Sequence, residues 1–211
     1  MTFLKNKQTA WDHFFKAKMV DIFTTSQEVV DFGGSLRLDT GKSNRVEIKN
    51  QWLNKYVSQV SYKIIDPVPD YNPDIVGDIH KLPLADNSQE AIICMAVLEH
   101  VENPILAMEE LYRVMKPGAK LFVYVPFLFY YHAHEGYYRD YWRFTKDTLE
   151  MLAKPFSHKE FCAVKGPIET LFNLTPLGRW RIVKSVVRYL DTLFYKKGSN
   201  QVSGYYMFLI K

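Results

Sequence analysis

The segment Ala91–Met95 constrains the fold most, because all of its side chains are apolar. A strand with one face in water alternates apolar and polar residues, whereas an uninterrupted apolar run is typical of a parallel strand buried on both faces. Comparable short runs occur elsewhere in the chain, at residues 28–32, 63–66, 120–127, 161–164 and 204–210. We therefore expect a mainly parallel sheet in the interior of the protein.

Helical signals lie between these runs. Asn103 before Pro104 predicts a helix start, since asparagine caps the first turn and proline suits the first helical position. The helix is expected to end at Lys116-Pro117-Gly118, and Thr145 is expected to cap another helix. Strands that alternate with helices indicate an α/β fold built from βαβ units.

Apolar residues at helical spacing also occupy the first part of the chain, from Trp11 to Phe23. We predict a helical N-terminal extension over residues 1–27 and a single domain over residues 28–211. A further helix is predicted between Trp52 and Val60, within the segment 35–62 that joins the first two strands.

Acidic residues stand where several predicted strands end. Asp31 precedes Gly33-Gly34, Asp66 precedes Pro67, and Glu99 follows the strand at 91–95. In an open α/β sheet, ligands bind beyond the carboxyl ends of the strands. These acids predict a polar ligand site at one edge of the sheet, although Asp31 and Asp66 would each also suit a turn or a helix cap.

A set of motifs follows one order along the chain: Asp-x-Gly at 31–33, Asp66, Gly-Asp-Ile-His-x-Leu-Pro at 77–83, Asp-Asn-Ser at 86–88, Leu-Glu-His-Val at 98–101 and Glu-Leu-x-Arg-Val-x-Lys-Pro-Gly at 110–118. In this order they resemble the class I S-adenosylmethionine-dependent methyltransferases, specifically the small type 11 group, over roughly residues 28–150. The resemblance implies a Rossmann-like, three-layer α/β/α fold, whose mainly parallel seven-stranded sheet has an antiparallel last strand.

The same resemblance implies S-adenosyl-L-methionine as the cofactor and suggests the residues that hold it: Asp31, Gly33, Gly34, Asp66, Asp78, Ile79 and Glu99. Asp66 would accept hydrogen bonds from both ribose hydroxyls. Asp78 and the backbone N–H of Ile79 would meet the adenine, Asp31 would face the amino group of the ligand, and Glu99 would form part of the wall. The glycines allow the backbone to approach the ligand closely, because they carry no Cβ.

Ser35 stands where the family usually has a third glycine. The competing interpretation is therefore a non-catalytic binding or scaffold protein with a degenerate donor site. Gly41-Lys42-Ser43 does not complete a phosphate-binding loop, because that motif requires a glycine where Leu36 stands.

The segment 127–144 is rich in aromatic residues and follows a predicted strand, so it should lie over the carboxyl edge of the sheet. Aromatic walls with few polar groups suit a saccharide or a flat ring, and the resemblance gives this loop a part in the acceptor pocket. We predict His134 and Asp140 as catalytic residues. His132 and Glu135 are further candidates for a base or for binding a divalent ion, but we assign no metal site; alternatively, the aromatic residues close the core and His134 and Asp140 make loop hydrogen bonds.

The net charge of +4 is concentrated in one segment, because residues 176–197 hold six basic residues against Asp191 alone. This local excess argues against general nucleic-acid binding. We expect a basic helical insertion at 170–197, whose helix at 179–197 either packs on the domain with a solvated charged face or makes peripheral contact with an anionic membrane. Without an apolar leader or a long apolar run, we expect a cytoplasmic protein, with any membrane contact at the inner face.

The sequence thus predicts an S-adenosylmethionine-dependent methyltransferase that acts on a saccharide or another small-molecule hydroxyl, with a role in glycan biosynthesis. The retained acids at 66 and 78 favour this function over the scaffold alternative.

Overall fold

The computed structural model describes residues 9–38, 41, 46–176, 181–194 and 198–211. These residues form one seven-stranded sheet, with strands β1 (Glu28–Phe32), β2 (Ser61–Asp66), β3 (Ile75–Val76), β4 (Gln89–Met95), β5 (Met115–Pro126), β6 (His158–Val164) and β7 (Gly204–Ile210). The strand order is β3-β2-β1-β4-β5-β7-β6. β7 runs antiparallel to both of its neighbours, while β1 to β5 pair in parallel. The predicted sheet is confirmed.

The described helices are α1 (Ala10–Thr25), α2 (Asn54–Val57), α3 (Pro104–Val114), α4 (Lys146–Leu152), α5 (Pro167–Asn173) and α6 (Arg181–Phe194). Both predicted caps are confirmed, because Asn103 accepts a hydrogen bond from the Leu106 N–H and Thr145 accepts one from the Thr148 N–H. Short 3₁₀ turns occur at Ile48–Leu53, Pro69–Tyr71 and Leu98–His100.

Two buried cores lie on opposite faces of the sheet. On one face, Met108 and Leu111 of α3 belong to the same core as Val123. On the other face, α1 belongs to a second core together with Phe122 and Phe208. Successive residues of a strand point to opposite faces, so Phe122 and Val123 of β5 contribute to different cores. The result is the expected three-layer arrangement.

Several local predictions differ from the structure. β5 begins at Met115, before Lys116-Pro117-Gly118. Gly118 adopts a φ of +78°, and the pairing of β5 with β4 shifts its register in this segment, so the strand continues through the predicted helix stop. The helix predicted at 52–60 is a 3₁₀ turn followed by the short α2. β3 and α5 were not predicted individually.

The predicted insertion at 170–197 contains the end of α5 and the whole of α6. Arg179, Trp180, Lys196 and Lys197 lie outside the described residues, as do Lys42 and Ser43. In the part of the chain that the structure describes, none of the helices has the length and apolar character needed to cross a membrane.

β1 and β4 lie side by side at the centre of the sheet, with Phe32 opposite Cys94. The strand order reverses between them, since β2 and β3 follow on one side and β5 on the other. A crevice opens beyond the carboxyl ends of the strands at such a switch point.

Candidate functional site

A cleft of about 1880 Å³ lies at this carboxyl edge. Its lining includes Gly33, Asp66, Asp78, Ile79 and Glu99, all of which the sequence predicted to hold the cofactor. Residues 129–139 and Tyr141 of the aromatic loop (residues 127–144) line the same cleft. The strand ends and the loop therefore share one site, as expected.

The turn after β1 is held by the buried Asp31 side chain. The Ser35 and Leu36 N–H groups donate to this carboxylate at 3.0 and 2.9 Å, and the Tyr62 hydroxyl donates at 2.5 Å. The Ser35 hydroxyl donates as well. Burial raises the pKa of Asp31 to about 6 despite these hydrogen bonds. Asp31 thus holds the turn from the interior of the protein. Its carboxylate does not line the cleft, so it does not face the amino group of a ligand there, as the sequence had predicted it would.

Gly33 forms the cleft side of the same turn, with a φ of +70°. Its N–H donates to the Ile65 carbonyl at 2.8 Å, which joins the turn to the end of β2. A Cβ at this position would lie 3.2 Å from Val97 Cγ2, so glycine keeps the entrance open. Gly34 also has a positive φ but is buried behind the turn.

Asp66 ends β2 beside Gly33 and is only 6% exposed. The Val68 N–H donates to Asp66 Oδ1 at 2.8 Å, which fixes the orientation of the carboxylate. The second oxygen, Oδ2, faces Gly33, at 3.9 Å from the position of a Cβ there. Burial raises the pKa of Asp66. The geometry provides a rigid acceptor in the cleft.

Asp78 and His80 form a small hydrogen-bonded turn after β3. The backbone N–H and Nδ1–H of His80 donate to Asp78 Oδ1 at 2.9 and 2.8 Å. The opposite ring nitrogen, Nε2, accepts from the Asn103 N–H at 3.3 Å. Burial alone would raise the pKa of Asp78, but the bonds from His80 outweigh it and lower the pKa. The turn presents the exposed Asp78 and the buried Ile79 next to each other at the cleft.

Glu99 lies in the 3₁₀ turn that follows β4, and its side chain is 1% exposed. Ala96 enters this segment with a φ of +55°, an uncommon conformation for a residue with a Cβ. Neither carboxylate oxygen of Glu99 has a hydrogen-bond partner among the described residues. The carbonyl of Glu99, in contrast, accepts from the Tyr141 N–H at 2.7 Å and the Trp142 N–H at 3.2 Å. These bonds fasten the aromatic loop to the end of β4.

Asp140 holds the inside of the aromatic loop, and its side chain is fully buried. Arg143 donates to both of its oxygens at 2.6 and 2.7 Å, and the His132 N–H donates at 2.8 Å. Although burial raises the pKa of Asp140, the bonds from Arg143 and His132 outweigh this effect and lower the pKa to about 2. Asp140 is therefore enclosed by the loop and is not among the residues that line the cleft. The catalytic role expected of it stays a prediction.

His100 and His132 meet Glu99 at the cleft. Their Nε2 atoms lie 3.9 and 3.7 Å from Glu99 Oε1. The Glu99 carboxylate raises the pKa of His132, whereas burial lowers the pKa of His100. The sequence named His132 as one of several candidates and gave His100 only as part of the motif at 98–101. The contact between them depends on the path of the aromatic loop, which no local signal predicts.

His134 lies at the exposed rim of the cleft. Its Nδ1 is 3.3 Å from the Tyr71 hydroxyl, and its ring stacks on Tyr137 at 4.6 Å between centroids. Among the described residues, no hydrogen bond or ion pair joins His134 to Asp140, the other residue predicted to be catalytic.

α6 packs on α5 through polar groups. The Ile168 and Glu169 N–H groups donate to Asp191 at 2.8 and 2.9 Å, and Arg188 Nε donates to Glu169 at 3.0 Å. Arg188 therefore belongs partly to the packing interface. The opposite side of α6 leaves apolar side chains exposed: Val186, Tyr189, Leu193 and Phe194.

Comparison with known proteins agrees with this geometry. Residues 49–123 match the family described as "Methyltransferase domain". A segment of 49 residues is 47% identical to a demethylmenaquinone methyltransferase of Renibacterium salmoninarum, and covers 23% of this chain and 21% of that protein. A segment of 46 residues is 46% identical to an uncharacterised protein in transposon Tn4556 of Streptomyces fradiae, and covers 22% of this chain and 13% of that protein. The matches thus span well under two thirds of either relative.

The fold is shared over nearly the whole chain with solved structures. A SAM-dependent methyltransferase from Archaeoglobus fulgidus superposes with a TM-score of 0.58 at 13% identity, with 94% of each chain covered. The methyltransferase in a Haloferax volcanii complex with the activator Trm112 gives a TM-score of 0.53 at 15% identity, with 94% and 89% covered. At these identities the likeness concerns the fold.

Proposed function

We propose that this chain is a class I S-adenosylmethionine-dependent methyltransferase, which the family match and the fold support, and that it methylates a hydroxyl group of a small acceptor such as a saccharide. The observation that carries the proposal is the convergence of Gly33, Asp66 and Asp78 at the switch point of the sheet. Each is a residue type that the donor requires, and each comes from a different strand end.

The donor fits this arrangement in a definite orientation. Asp66 Oδ2 is the acceptor for the ribose hydroxyls, since Oδ1 is already held by the Val68 N–H. Gly33 leaves room for the amino-acid end, while Asp78 and Ile79 stand where the adenine edge would bind. Ser35 replaces a family glycine, but its hydroxyl and N–H both donate to Asp31. The serine is thus compatible with an intact turn, which supports a binding-competent site.

The aromatic loop supplies the acceptor side. Phe129, Tyr130 and Tyr138 line the cleft together with polar groups from the strand ends, a lining that suits the faces and hydroxyls of a sugar ring. This lining supports a saccharide acceptor and, with it, a role in glycan biosynthesis. In the reaction, the acceptor oxygen attacks the methyl carbon, and the carbon–sulfur bond breaks with its electron pair remaining on sulfur. The hydroxyl proton passes to water in the open cleft.

The loop residues take different roles in this proposal. His134 at the rim can contact the acceptor, because it is exposed and faces the cleft. Asp140 acts through His132 and Arg143, which enclose its carboxylate. Alignment of donor and acceptor is the main contribution of such a site, since the donor carries its own leaving group.

Calorimetric titration with S-adenosylhomocysteine tests the donor site. We expect binding of one ligand per chain, weakened about 10- to 100-fold by Asp66→Ala, because a charged acceptor of ligand hydroxyls is lost. Asp147→Ala is the matched control, since Asp147 is exposed on α4. Equal affinity of the wild type and Asp66→Ala would refute the ribose assignment. A folded wild type that binds no ligand would instead favour the scaffold alternative.

Contact with an anionic membrane surface is a second proposal, supported by the exposed apolar side of α6. Tyr189 and Phe194 are 66% and 67% exposed, and Lys184 lies on the same helix. Apolar side chains beside basic ones favour binding at a lipid interface. In co-sedimentation with phosphatidylserine vesicles at low salt, the wild type should bind to the vesicles and the Phe194→Asp variant should not. Equal behaviour of the two proteins would remove the proposal.

A further inference from the structure

Glu99 is a buried acid whose charge the described residues leave uncompensated by any hydrogen bond. Its side chain is 1% exposed, and neither of its oxygens has a hydrogen-bond partner in the part of the chain that the structure describes. An isolated carboxylate in a protein interior is costly, so such groups are normally paired or coordinate a metal ion. Glu99 also lines the cleft rather than a closed core. Its position therefore calls for a partner that the described residues do not supply through a hydrogen bond.

Two histidines face this carboxylate with the nitrogen that a metal ion uses. The Nε2 atoms of His100 and His132 lie 3.9 and 3.7 Å from Glu99 Oε1. The nearest ligand atoms of the three side chains all lie within 4.8 Å of one another. In neutral imidazole one nitrogen carries the proton and the other has a free lone pair. The identity of the protonated nitrogen decides whether the cluster can bind a cation.

The opposite ring nitrogens are engaged by acceptors. His100 Nδ1 lies 2.6 Å from the Arg139 carbonyl oxygen. His132 Nδ1 lies 3.1 Å from the Tyr130 carbonyl oxygen and 3.1 Å from Asp140 Oδ2. A carbonyl can only accept, so Nδ1 donates in both rings. In the neutral rings, Nε2 then keeps its lone pair toward Glu99. Acceptors behind ligating histidines are the usual support of a metal site.

We propose that Glu99, His100 and His132 bind one divalent first-row transition-metal ion, such as Mn²⁺, Co²⁺ or Zn²⁺. One carboxylate and two imidazoles form a ligand set that suits these ions better than Mg²⁺ or Ca²⁺, which prefer oxygen ligands. Ligand bonds of about 2.0–2.2 Å place neighbouring ligand atoms roughly 3.0–3.6 Å apart. The observed 3.7 and 3.9 Å, and the 4.8 Å within which all three ligand atoms lie, exceed this range, so the three side chains must draw closer together when an ion binds.

The backbone holds the three ligands in place before any ion binds. Glu99 and His100 are consecutive in one 3₁₀ turn, and the aromatic loop is joined to that turn by the Tyr141 and Trp142 N–H groups. Asp140 fixes the segment at His132 by accepting its N–H at 2.8 Å. A site held by such bonds loses little conformational freedom on binding an ion.

The place of the cluster suggests which acceptors the cleft takes, an extension that rests on the proposed methyltransferase function. Three protein ligands leave further coordination positions open toward the cleft. An acceptor with neighbouring oxygen atoms, such as a sugar diol, could occupy them. The acceptor hydroxyl would then be both oriented and acidified by the ion.

Metal titration of the chelator-treated, donor-free protein tests the site. By calorimetry with MnCl₂ and ZnCl₂, we expect one ion per wild-type chain. Glu99→Gln keeps the shape of the side chain but removes its charge, and should weaken binding more than about 100-fold, beyond the effect of losing a supporting residue. His134→Ala is the matched control, because His134 lies in the same loop outside the cluster, and its affinity should equal that of the wild type.

A second variant and a spectroscopic measurement distinguish loss of the metal site from misfolding. Wild type with Co²⁺ should show the visible absorption of a nitrogen- and oxygen-ligated ion, and His132→Ala should lose it while keeping its circular dichroism spectrum. Absence of binding by the wild type, or equal binding by Glu99→Gln, would overturn the metal site and would mean that Glu99 is balanced by a proton or by a protonated histidine. Titration with S-adenosylhomocysteine in metal-free buffer is independent of this result, so failure of the donor site is recognised separately.

Discussion

The buried Asp31 carboxylate beneath the glycine turn gives the sharpest prediction of stability. Its pKa is about 6 in the folded protein against an ordinary value of 3.8, because burial disfavours the ionised form. A group whose pKa is raised by folding contributes its full stabilisation when the pH is below the pKa of the unfolded state. This contribution is lost as the pH rises through the pKa of the folded state. The difference corresponds to about 3 kcal/mol over the whole transition.

The substitution Asp31→Asn isolates this contribution. Asparagine cannot accept from all of the groups that donate to Asp31, so the variant should be less stable at every pH. The difference in the free energy of unfolding between the wild type and the variant should shrink by about 2 kcal/mol between about pH 4.5 and about pH 7. The reason is that only the wild type has a buried acid whose ionisation lowers its stability as the pH rises. Urea unfolding at several pH values, followed by circular dichroism, measures the penalty.

Asp147→Asn serves as the control, because the side chain is exposed and should give no such pH-dependent penalty. A penalty for Asp31→Asn that grows as the pH rises would refute the reasoning. It would mean that the hydrogen bonds from Ser35, Leu36 and Tyr62 stabilise the carboxylate by more than burial opposes it.

Two further predictions concern packing. Gly204→Ala would place a Cβ 2.4 Å from the Val125 carbonyl oxygen. It should therefore lower the free energy of unfolding by about 1–3 kcal/mol in a urea titration. Unchanged stability would show that β5 and β7 are not packed this closely. Asp191→Ala should cost about 1–2 kcal/mol, since it removes the acceptor for the Ile168 and Glu169 N–H groups; a neutral effect in the same assay would contradict the assigned contact between α5 and α6.

The parts of the fold that were predictable have local signals. The continuous apolar run of β4 and the Asn-Pro start of α3 specify their structures within a few residues. β3 contains only Ile75 and Val76, which is too short for a hydrophobic pattern. Lys116-Pro117-Gly118 reads as a helix stop, but Met115 and Lys120 on either side of it pair with β4, and the Gly118 N–H donates to the Lys211 carbonyl, so the segment is part of β5.

The candidate site likewise has a part that the sequence predicts and a part that it does not. Asp66 and Asp78 follow strands of a parallel sheet, so their meeting in the cleft follows from topology alone. The approach of His132 to Glu99 depends instead on the fold of a long aromatic loop, which is set by Asp140 and Arg143. That arrangement arises from contacts within the loop, and no spacing in the sequence indicates which of its histidines approaches Glu99.

Hydrogen exchange with and without S-adenosylhomocysteine tests most directly whether the donor binds at the carboxyl edge of β1, β2 and β4. Ligand should slow exchange in segments 33–37, 66–68 and 77–80, leave β6 at 158–164 unchanged, and lose this protection in Asp66→Ala. Protection that is absent, or that appears away from these three segments, would contradict the proposed donor site.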